Sequence, residues 1–134
     1  MEIKHPSLIK RVQSILIDTI IMVALMFLAA WVLEKFNVGD DEESGLIKAI
    51  IFICIWGIYE PLSMTLGSTI GNYLVGIKVR KHSSYNSRIN IFQAYIRFVV
   101  KVLLGWISFI TIGMNAERRA VHDFVSGSVM IEKK

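Results

Sequence analysis

Three long apolar runs dominate the hydrophobic pattern of this chain, and polar residues interrupt each of them. The runs cover residues 9–33, 46–66 and 89–113. A helix that crosses a bilayer needs about 20 mostly apolar residues, and each run meets that length. The pattern therefore predicts an all-α integral membrane protein with three hydrophobic helical segments. The length predicts a single membrane domain that comprises residues 1–134.

The first run carries a polar stripe on a helix that is otherwise hydrophobic enough for lipid. Arg11 and Asp18 are seven residues apart, which is two helical turns minus about 20°, and Ser14 lies between them on the same face. A carboxylate inside hydrocarbon costs roughly 3 kcal/mol on insertion scales, so another part of the chain is expected to face Asp18. The run is longer than a signal-peptide core, and we interpret it as a retained transmembrane helix.

The second run contains the pair Glu60 and Pro61 near its end. Proline removes a helix hydrogen bond and clashes with the carbonyl group four residues earlier, which here belongs to Gly57. We therefore predict a helix kink between Gly57 and Pro61. Two interpretations of this kink stay open. It serves packing alone, as many kinks in membrane helices do, or it leaves a free carbonyl beside the Glu60 carboxylate as an ion ligand.

Polar residues occupy one helix face of the third run. They recur at spacings of three and four and are Gln93, Arg97, Lys101, Gly105 and Ser108. The pattern predicts a helix that is amphipathic at its start and suited to lipid from Phe98 onward. Both a surface helix that leads into a span and a re-entrant segment fit this pattern.

Two short segments predict a small β pairing beside the helices. Residues 74–80 alternate in character and are rich in β-branched side chains, and residues 126–132 offer a second short strand. Strands that pair must lie on the same side of the membrane. This requirement limits the path of the third run, because that run connects the two segments.

The charges of the connecting segments predict the orientation in the membrane. Residues 34–44 are acidic, whereas residues 68–88 carry Lys and Arg without any acid. Cytoplasmic loops carry an excess of Lys and Arg, so we place the basic loop and the basic N-terminus in the cytoplasm. Three full crossings would put the C-terminal tail outside. Its own basic residues and the strand pairing favour the inside, so we expect a cytoplasmic tail and a third run that enters and returns.

Composition and charge exclude several other classes of protein. The chain is 54% hydrophobic with a net charge of +4, and no basic patch is interleaved with aromatic residues outside the apolar runs, so nucleic-acid binding is not expected. The single cysteine, Cys54, permits no internal disulfide. The histidines His5, His82 and His122 lack metal-ligand spacing, and no glycine loop matches a phosphate-binding motif. We therefore expect no metal, no cofactor and no enzymatic activity.

An ordered set of motifs covers most of the chain. It consists of Arg11 and Asp18, the segments Gly67-Ser68-Thr69-Ile70-Gly71 and Gly76-Ile77-Lys78-Val79, Arg97, His122-Asp123, and Ser126-Gly127-Ser128-Val129-Met130-Ile131. This set resembles the RDD-domain family of small bacterial and archaeal membrane proteins, which is named for an arginine and two aspartates. The chain departs from the family pattern at Asn72, where Lys or Arg is frequent, and at Ser128, where Thr is frequent. The resemblance implies a multi-pass domain in the prokaryotic cytoplasmic membrane. It also implies transport, because a few members are reported as sodium/proton antiporters.

Helix geometry places three charges from three segments at similar depth. Asp18 and Glu60 are each about 9 Å from the inner surface of the hydrocarbon, and Arg97 is about 12 Å from it if its run enters directly. We predict a buried charge layer in the inner half of the membrane. In this layer Asp18 and Glu60 face Arg97, and Arg11 forms a second pair with Asp123.

Two functions use such a layer. In the first, Asp18 or Glu60 binds a monovalent cation or a proton, and Arg97 or Lys101 competes for the vacated carboxylate, which is the chemistry of a sodium/proton exchanger or another small-solute transporter. One protomer has too few helices to enclose a pathway, so transport predicts a homo-oligomer. In the alternative, the charges are permanent salt bridges and the protein is a membrane scaffold or an accessory subunit.

Overall fold

The computed structural model describes residues 3–38 and 41–133, so the predicted acidic connection lies partly outside the described residues, at 39–40. The structure is mostly helical with one small sheet, as predicted. In chain order the elements are α1 (Leu8–Lys35), α2 (Glu42–Leu66), α3 (Ile70–Val75), β1 (Ile77–Lys81), α4 (Ile91–Leu104), a 3-10 helix (Gly105–Gly113), α5 (Val121–Val125) and β2 (Ser128–Glu132).

Three segments are long and apolar enough to cross a membrane, which confirms the three predicted hydrophobic helical segments. They are Leu8–Lys35, Glu42–Leu66 and Ile91–Gly113. Large apolar side chains are exposed along α1 and α2, among them Phe27, Trp31 and Ile53. Exposed apolar surface of this extent indicates contact with lipid or with another protein.

Pro61 lies inside α2, five residues before the helix ends at Leu66, and is buried. Its ring nitrogen has no hydrogen to donate to the carbonyl group of Gly57, one turn earlier. The bend that the sequence predicts between these two residues stays a prediction.

The polypeptide between α2 and β1 forms a short helix where the sequence predicts the start of a strand. The Thr69 side chain accepts a hydrogen bond from the Asn72 amide at 3.2 Å and so caps the start of α3. Gly76 has a φ of 76°, a left-handed conformation that ends the helix at little steric cost. The predicted strand 74–80 is therefore wrong in its first three residues, because these two caps hold Leu74 and Val75 in α3.

The predicted β pairing is confirmed with these shorter bounds. Strands β1 and β2 are antiparallel, with Ile77 opposite Glu132 and Lys81 opposite Ser128. The inner face of this sheet builds the apolar core together with residues from α2, α4 and the segment before α4. The core consists of Met64, Ile77, Val79, Ile89, Ala94 and Met130. Because Ile89 belongs to this core, the third apolar run begins beside the sheet.

The third apolar run also ends beside the sheet. Helix α4 has 14 residues and is about 21 Å long, which is less than the hydrocarbon thickness of about 30 Å. Gly105 follows with a φ of 52°, and the 3-10 helix then leads back until Gly113 lines a surface cavity with Ser7 and Leu8 at the start of α1. Both ends of the third run therefore lie beside the sheet, which favours the re-entrant path of the two that the sequence predicts. The prediction that one helix face continues to Ser108 is wrong, because Gly105 ends the helix.

The N-terminal residues and the C-terminal strand meet at one end of the molecule. The amide of Glu132 donates to the Lys4 carbonyl oxygen at 2.9 Å, and the Nδ1 of His5 donates to the Met130 carbonyl oxygen at 3.2 Å. The Lys10 ammonium lies 2.8 Å from a Glu132 carboxylate oxygen. The C-terminal strand and the N-terminal residues therefore lie at the same end of the molecule.

Candidate functional site

Asp123 is shared by two arginines from two different helices. It lies in the first turn of α5 and is fully buried. The Nη1 of Arg11, from α1, donates to its Oδ2 at 2.7 Å, and Arg97, from α4, forms an ion pair with its Oδ1. Both guanidinium groups are also buried, at 1% and 3% exposure. One carboxylate therefore balances two cations, and this Asp123 cluster has a formal charge of +1.

Local backbone and hydroxyl donors complete the Asp123 cluster. The Ala120 amide donates to Oδ2 at 3.0 Å, so Asp123 also caps the start of its own helix from the third helical position. The Ser128 hydroxyl donates to Oδ1 at 3.4 Å, and Arg11 donates from its Nη2 to the Arg118 carbonyl oxygen. Both carboxylate oxygens are thus fully used within the cluster.

The structure brings Arg11 and Asp123 together, and it corrects the position of Arg97. Arg97 forms its ion pair with Asp123 and donates to the Ser128 hydroxyl at 3.2 Å, so the predicted pairing of Arg97 with Asp18 and Glu60 is wrong. The physical reason is the return of the third run at Gly105, since this return brings the tail, and with it a carboxylate, next to the polar face of α4.

Asp18 is held by uncharged donors from three different places. The Tyr59 hydroxyl donates to Oδ1 at 2.9 Å, the Gly71 amide donates to Oδ1 at 2.9 Å, and the Thr69 hydroxyl donates to Oδ2 at 2.6 Å. No Lys or Arg among residues 3–38 and 41–133 forms an ion pair with Asp18. Its partners are therefore neutral, whereas the sequence suggested a cation.

Close packing of α3 against α1 makes this arrangement possible. A Cβ on Gly71 would overlap the Ser14 carbonyl oxygen and lie 2.8 Å from the carboxylate carbon of Asp18. The Ser14 hydroxyl donates to the side-chain oxygen of Asn72 at 2.6 Å, which gives the polar stripe of α1 a second contact with α3. Asn72 is thus a neutral partner for Ser14.

Glu60 and Lys101 form the third charged pair of the layer, between α2 and α4. Their side chains are 17% and 22% exposed, which makes this pair more accessible than the Asp123 cluster. Together the layer contains three acids, which are Asp18, Glu60 and Asp123, and three bases, which are Arg11, Arg97 and Lys101. Its formal charge is therefore zero if all six side chains are ionised.

A partly open groove gives access to one half of this layer. It has a volume of about 260 Å³, and Asp18, Glu60 and Lys101 line it together with apolar side chains of α1. A second cavity of about 20 Å³ is lined by the same three residues and also by Arg11 and Arg97. The smaller volume is close to what one water molecule needs. The arginines of the Asp123 cluster therefore meet the group of Asp18, Glu60 and Lys101 around a space of that size.

His122 borders the layer as a buried, neutral side chain. Its Nδ1 forms a hydrogen bond with the Ser108 hydroxyl, from the 3-10 helix, and its ring is 1% exposed. Burial lowers the pKa of His122 well below its usual range, and the nearby charges of Arg97, Lys101 and Arg11 lower it further. The imidazole therefore stays neutral in the folded protein at physiological pH.

This pKa shift predicts an acid-dependent loss of stability. Since the folded protein keeps His122 neutral and the unfolded chain protonates it near pH 6.5, acidification favours the unfolded state. Stability should fall by about 1 kcal/mol over the first pH unit below 6.5 through this residue alone. Unfolding in detergent at pH 7.5 and 5.5 measures the loss, which should be smaller in His122→Asn. An equal loss in both proteins contradicts the prediction.

The sequence interpretation missed the neutral ligands of Asp18. A signal for Thr69 exists, because a Ser or Thr directly before a short apolar segment is a helix-capping pattern, but the sequence interpretation places a strand from residue 74 and no helix before it. Tyr59 carries no such signal, since its hydroxyl reaches Asp18 only through the packing of α2 against α1. His122 likewise joins the layer only because the third run returns.

The fold and the site define a helical membrane protein with a charge layer among its apolar segments. The chain belongs to the RDD family, whose family model matches residues 5–127. This match confirms the resemblance that the motifs suggested and supports a membrane protein. No curated protein and no solved structure matches the chain.

Proposed function

We propose that this RDD-family protein exchanges a monovalent cation, such as sodium, for protons, and that Asp18 is the ion-binding carboxylate. One observation carries the proposal: Asp18 lines an accessible groove and, in the described part of the chain, has no cationic partner. A cation or a proton can therefore neutralise this carboxylate without first breaking a salt bridge. Ionisable groups at such depth in a membrane protein commonly mark an ion pathway.

The atoms around Asp18 suit a small hard cation. The hydroxyl oxygens of Tyr59 and Thr69 lie within hydrogen-bond distance of the carboxylate, so three kinds of oxygen ligand converge there. Hard cations prefer oxygen ligands, and a hydroxyl group can turn its lone pair toward a cation once its own hydrogen bond is released. The Gly71 amide continues to hold Oδ1 and keeps the carboxylate oriented.

Lys101 supplies the competing positive charge in this proposal. It is paired with Glu60 and lines the same groove as Asp18. When Asp18 loses its cation, the Lys101 ammonium is the mobile positive group in the groove that can approach the uncovered carboxylate. Glu60 then becomes free to accept a proton, which couples the two ions.

The exchanger is proposed to be a homo-oligomer in the prokaryotic cytoplasmic membrane with its N-terminus in the cytoplasm. Two long helices and a re-entrant segment leave the groove beside Asp18 partly open, so a second copy is needed to enclose a pathway. Charge supports this orientation: basic residues gather at the end of the molecule that carries the sheet, whereas α2 begins with acidic residues at the opposite end.

The Asp123 cluster supports the alternative function, a membrane scaffold or accessory subunit. Its carboxylate is fully buried and both of its oxygens are occupied by Arg11, Arg97 and local donors. Such a cluster holds α1, α4 and α5 in fixed positions without any ion. In the alternative, Asp18 and Glu60 have the same architectural role and the protein transports nothing.

Asp18→Asn should abolish exchange and leave the protein folded. Asparagine keeps the size of the side chain and an oxygen for the Gly71 amide, but it removes the charge that binds a cation. Proton movement driven by a sodium or potassium gradient is measured in proteoliposomes, with equal amounts of wild type and variant. We expect cation-dependent proton flux from wild type and only the background flux of empty vesicles from the variant.

The matched control is Glu117→Gln, which removes a partly exposed carboxylate that pairs with His82 outside the layer. This control should retain the wild-type flux. Size-exclusion chromatography in detergent checks that all three proteins have the same oligomeric state. If wild type moves no protons under either gradient and Asp18→Asn only loses stability or assembly, the scaffold function replaces the exchanger.

A further inference from the structure

Two arginines converge at the end of α2, away from the charge layer. The Nη1 of Arg80, on β1, donates to the Gly67 carbonyl oxygen at 3.2 Å and to the Val79 carbonyl oxygen at 2.8 Å. Arg88, in the loop after β1, reaches the same glycine: its Nε lies 3.8 Å from the position that a Cβ on Gly67 would occupy. The two guanidinium groups are therefore neighbours across the end of a membrane helix.

Neither guanidinium group has an acidic partner in the part of the chain that the structure describes. Arg88 is exposed and forms no hydrogen bond there, whereas Arg80 is half-buried and uses one nitrogen for two carbonyl groups. Partial burial lowers the pKa of Arg80, and the positive charge of Arg88 lowers it further. The pair is thus an uncompensated positive charge, with donor groups left for an anion.

The position of this pair matches the headgroup region of a bilayer. Helix α2 has 25 residues and is about 37 Å long, which exceeds a hydrocarbon core of about 30 Å, so its end at Gly67 reaches the polar interface. The adjacent α3 exposes Ile70, Tyr73 and Leu74. Tyrosine is typical of membrane interfaces, and exposed apolar residues beside it suit the acyl boundary.

We propose that Arg80 and Arg88 bind the phosphate group of an anionic phospholipid at the end of α2, with the exposed face of α3 against its acyl chains. A guanidinium group presents its donors in a planar fork that matches phosphate oxygens, and two such groups surround one phosphate. The carbonyl oxygen of Gly67 holds Arg80 in place before the lipid binds. This site is independent of Asp18 and of the proposed exchange.

The experiment compares two double variants that each remove two positive charges from the same segment. Arg80→Gln/Arg88→Gln removes the site, and Lys78→Gln/Lys81→Gln removes its neighbours only. Full-length protein is delipidated in detergent and titrated with phosphatidylglycerol or phosphatidylcholine, and bound lipid is counted by native mass spectrometry. We expect the arginine variant to bind phosphatidylglycerol about thirtyfold more weakly, as for the loss of two basic contacts to an anionic lipid, and the lysine variant to change less than about threefold.

Several outcomes overturn the proposal. Equal losses in the two variants show a diffuse electrostatic attraction, and equal binding of phosphatidylcholine shows that the anionic headgroup is not selected. If inorganic phosphate at matched concentration raises the melting temperature of wild type as much as phosphatidylglycerol does, the ligand is a free anion and the lipid assignment is wrong. If the arginine double variant fails to fold, the exposed single variant Arg88→Gln is compared with Lys81→Gln, and equal lipid binding by these two also overturns it.

Discussion

Asp123→Asn is expected to destabilise the protein by about 3–5 kcal/mol, because it leaves two buried guanidinium groups without their common carboxylate. Arg11 and Arg97 lie almost wholly out of contact with solvent, so neither can recover its lost partner from water. Asparagine keeps an oxygen for the Ala120 amide, which means that the loss reflects charge rather than the helix cap. Reversible unfolding in detergent measures the free energy, with Glu117→Gln as the control for removal of a partly exposed carboxylate outside the cluster.

The second arginine provides a sharper test of the same cluster. In Asp123→Asn/Arg97→Gln, one positive charge leaves together with the negative one, and the cluster keeps its formal charge of +1. The double variant should therefore lose less stability than the sum of the two single variants, since both single changes act on one interaction. Strict additivity, or a loss below about 1 kcal/mol in Asp123→Asn, contradicts the shared ion pair.

The residues of the layer were predictable from the sequence, but most of their partners were not. Charged residues within apolar runs stand out without any structure, which is why Arg11, Asp18, Glu60 and Arg97 were identified. The pairing of Arg11 with Asp123 followed from the expectation that the tail returns to the side of the N-terminus. That expectation rests on the strand pairing and on the basic residues of the tail. Both relate parts of the chain that are far apart in sequence.

The wrong pairing of Arg97 shows where such reasoning stops. Residue counts give the depth of each charge along its helix. Depth alone does not say which carboxylate lies nearest to Arg97, because that also depends on the direction in which the side chain leaves the helix. The break at Gly105 decides that question, because it turns the chain and brings Asp123 to α4. A lone glycine in an apolar run is weak evidence for such a break, since membrane helices contain many glycines.

Gly71→Ala is expected to remove both the stability and the exchange activity that depend on the contact between α1 and α3. The added methyl group would overlap the Ser14 carbonyl oxygen and crowd the carboxylate of Asp18, so the two helices must separate. Overpacking costs about 1–3 kcal/mol, and weakening the hydrogen bonds from the Gly71 amide and Thr69 to the charged carboxylate adds about 1.5–3 kcal/mol for each bond lost. We expect a total loss of about 3 kcal/mol or more, measured by unfolding in detergent, and proton flux near background in proteoliposomes.

Gly45→Ala is the matched control, because it makes the same chemical change within a helix where nothing beyond the adjacent residues and the helix's own backbone lies within 4 Å of the new methyl group. It should be neutral or stabilise α2 by up to about 1 kcal/mol, since alanine favours a helix more than glycine does. Wild-type stability together with wild-type flux in Gly71→Ala contradicts the close contact of α3 with α1. Wild-type stability with a lost flux locates the effect at the Asp18 carboxylate itself, because only the geometry of its hydrogen bonds then differs between the two proteins.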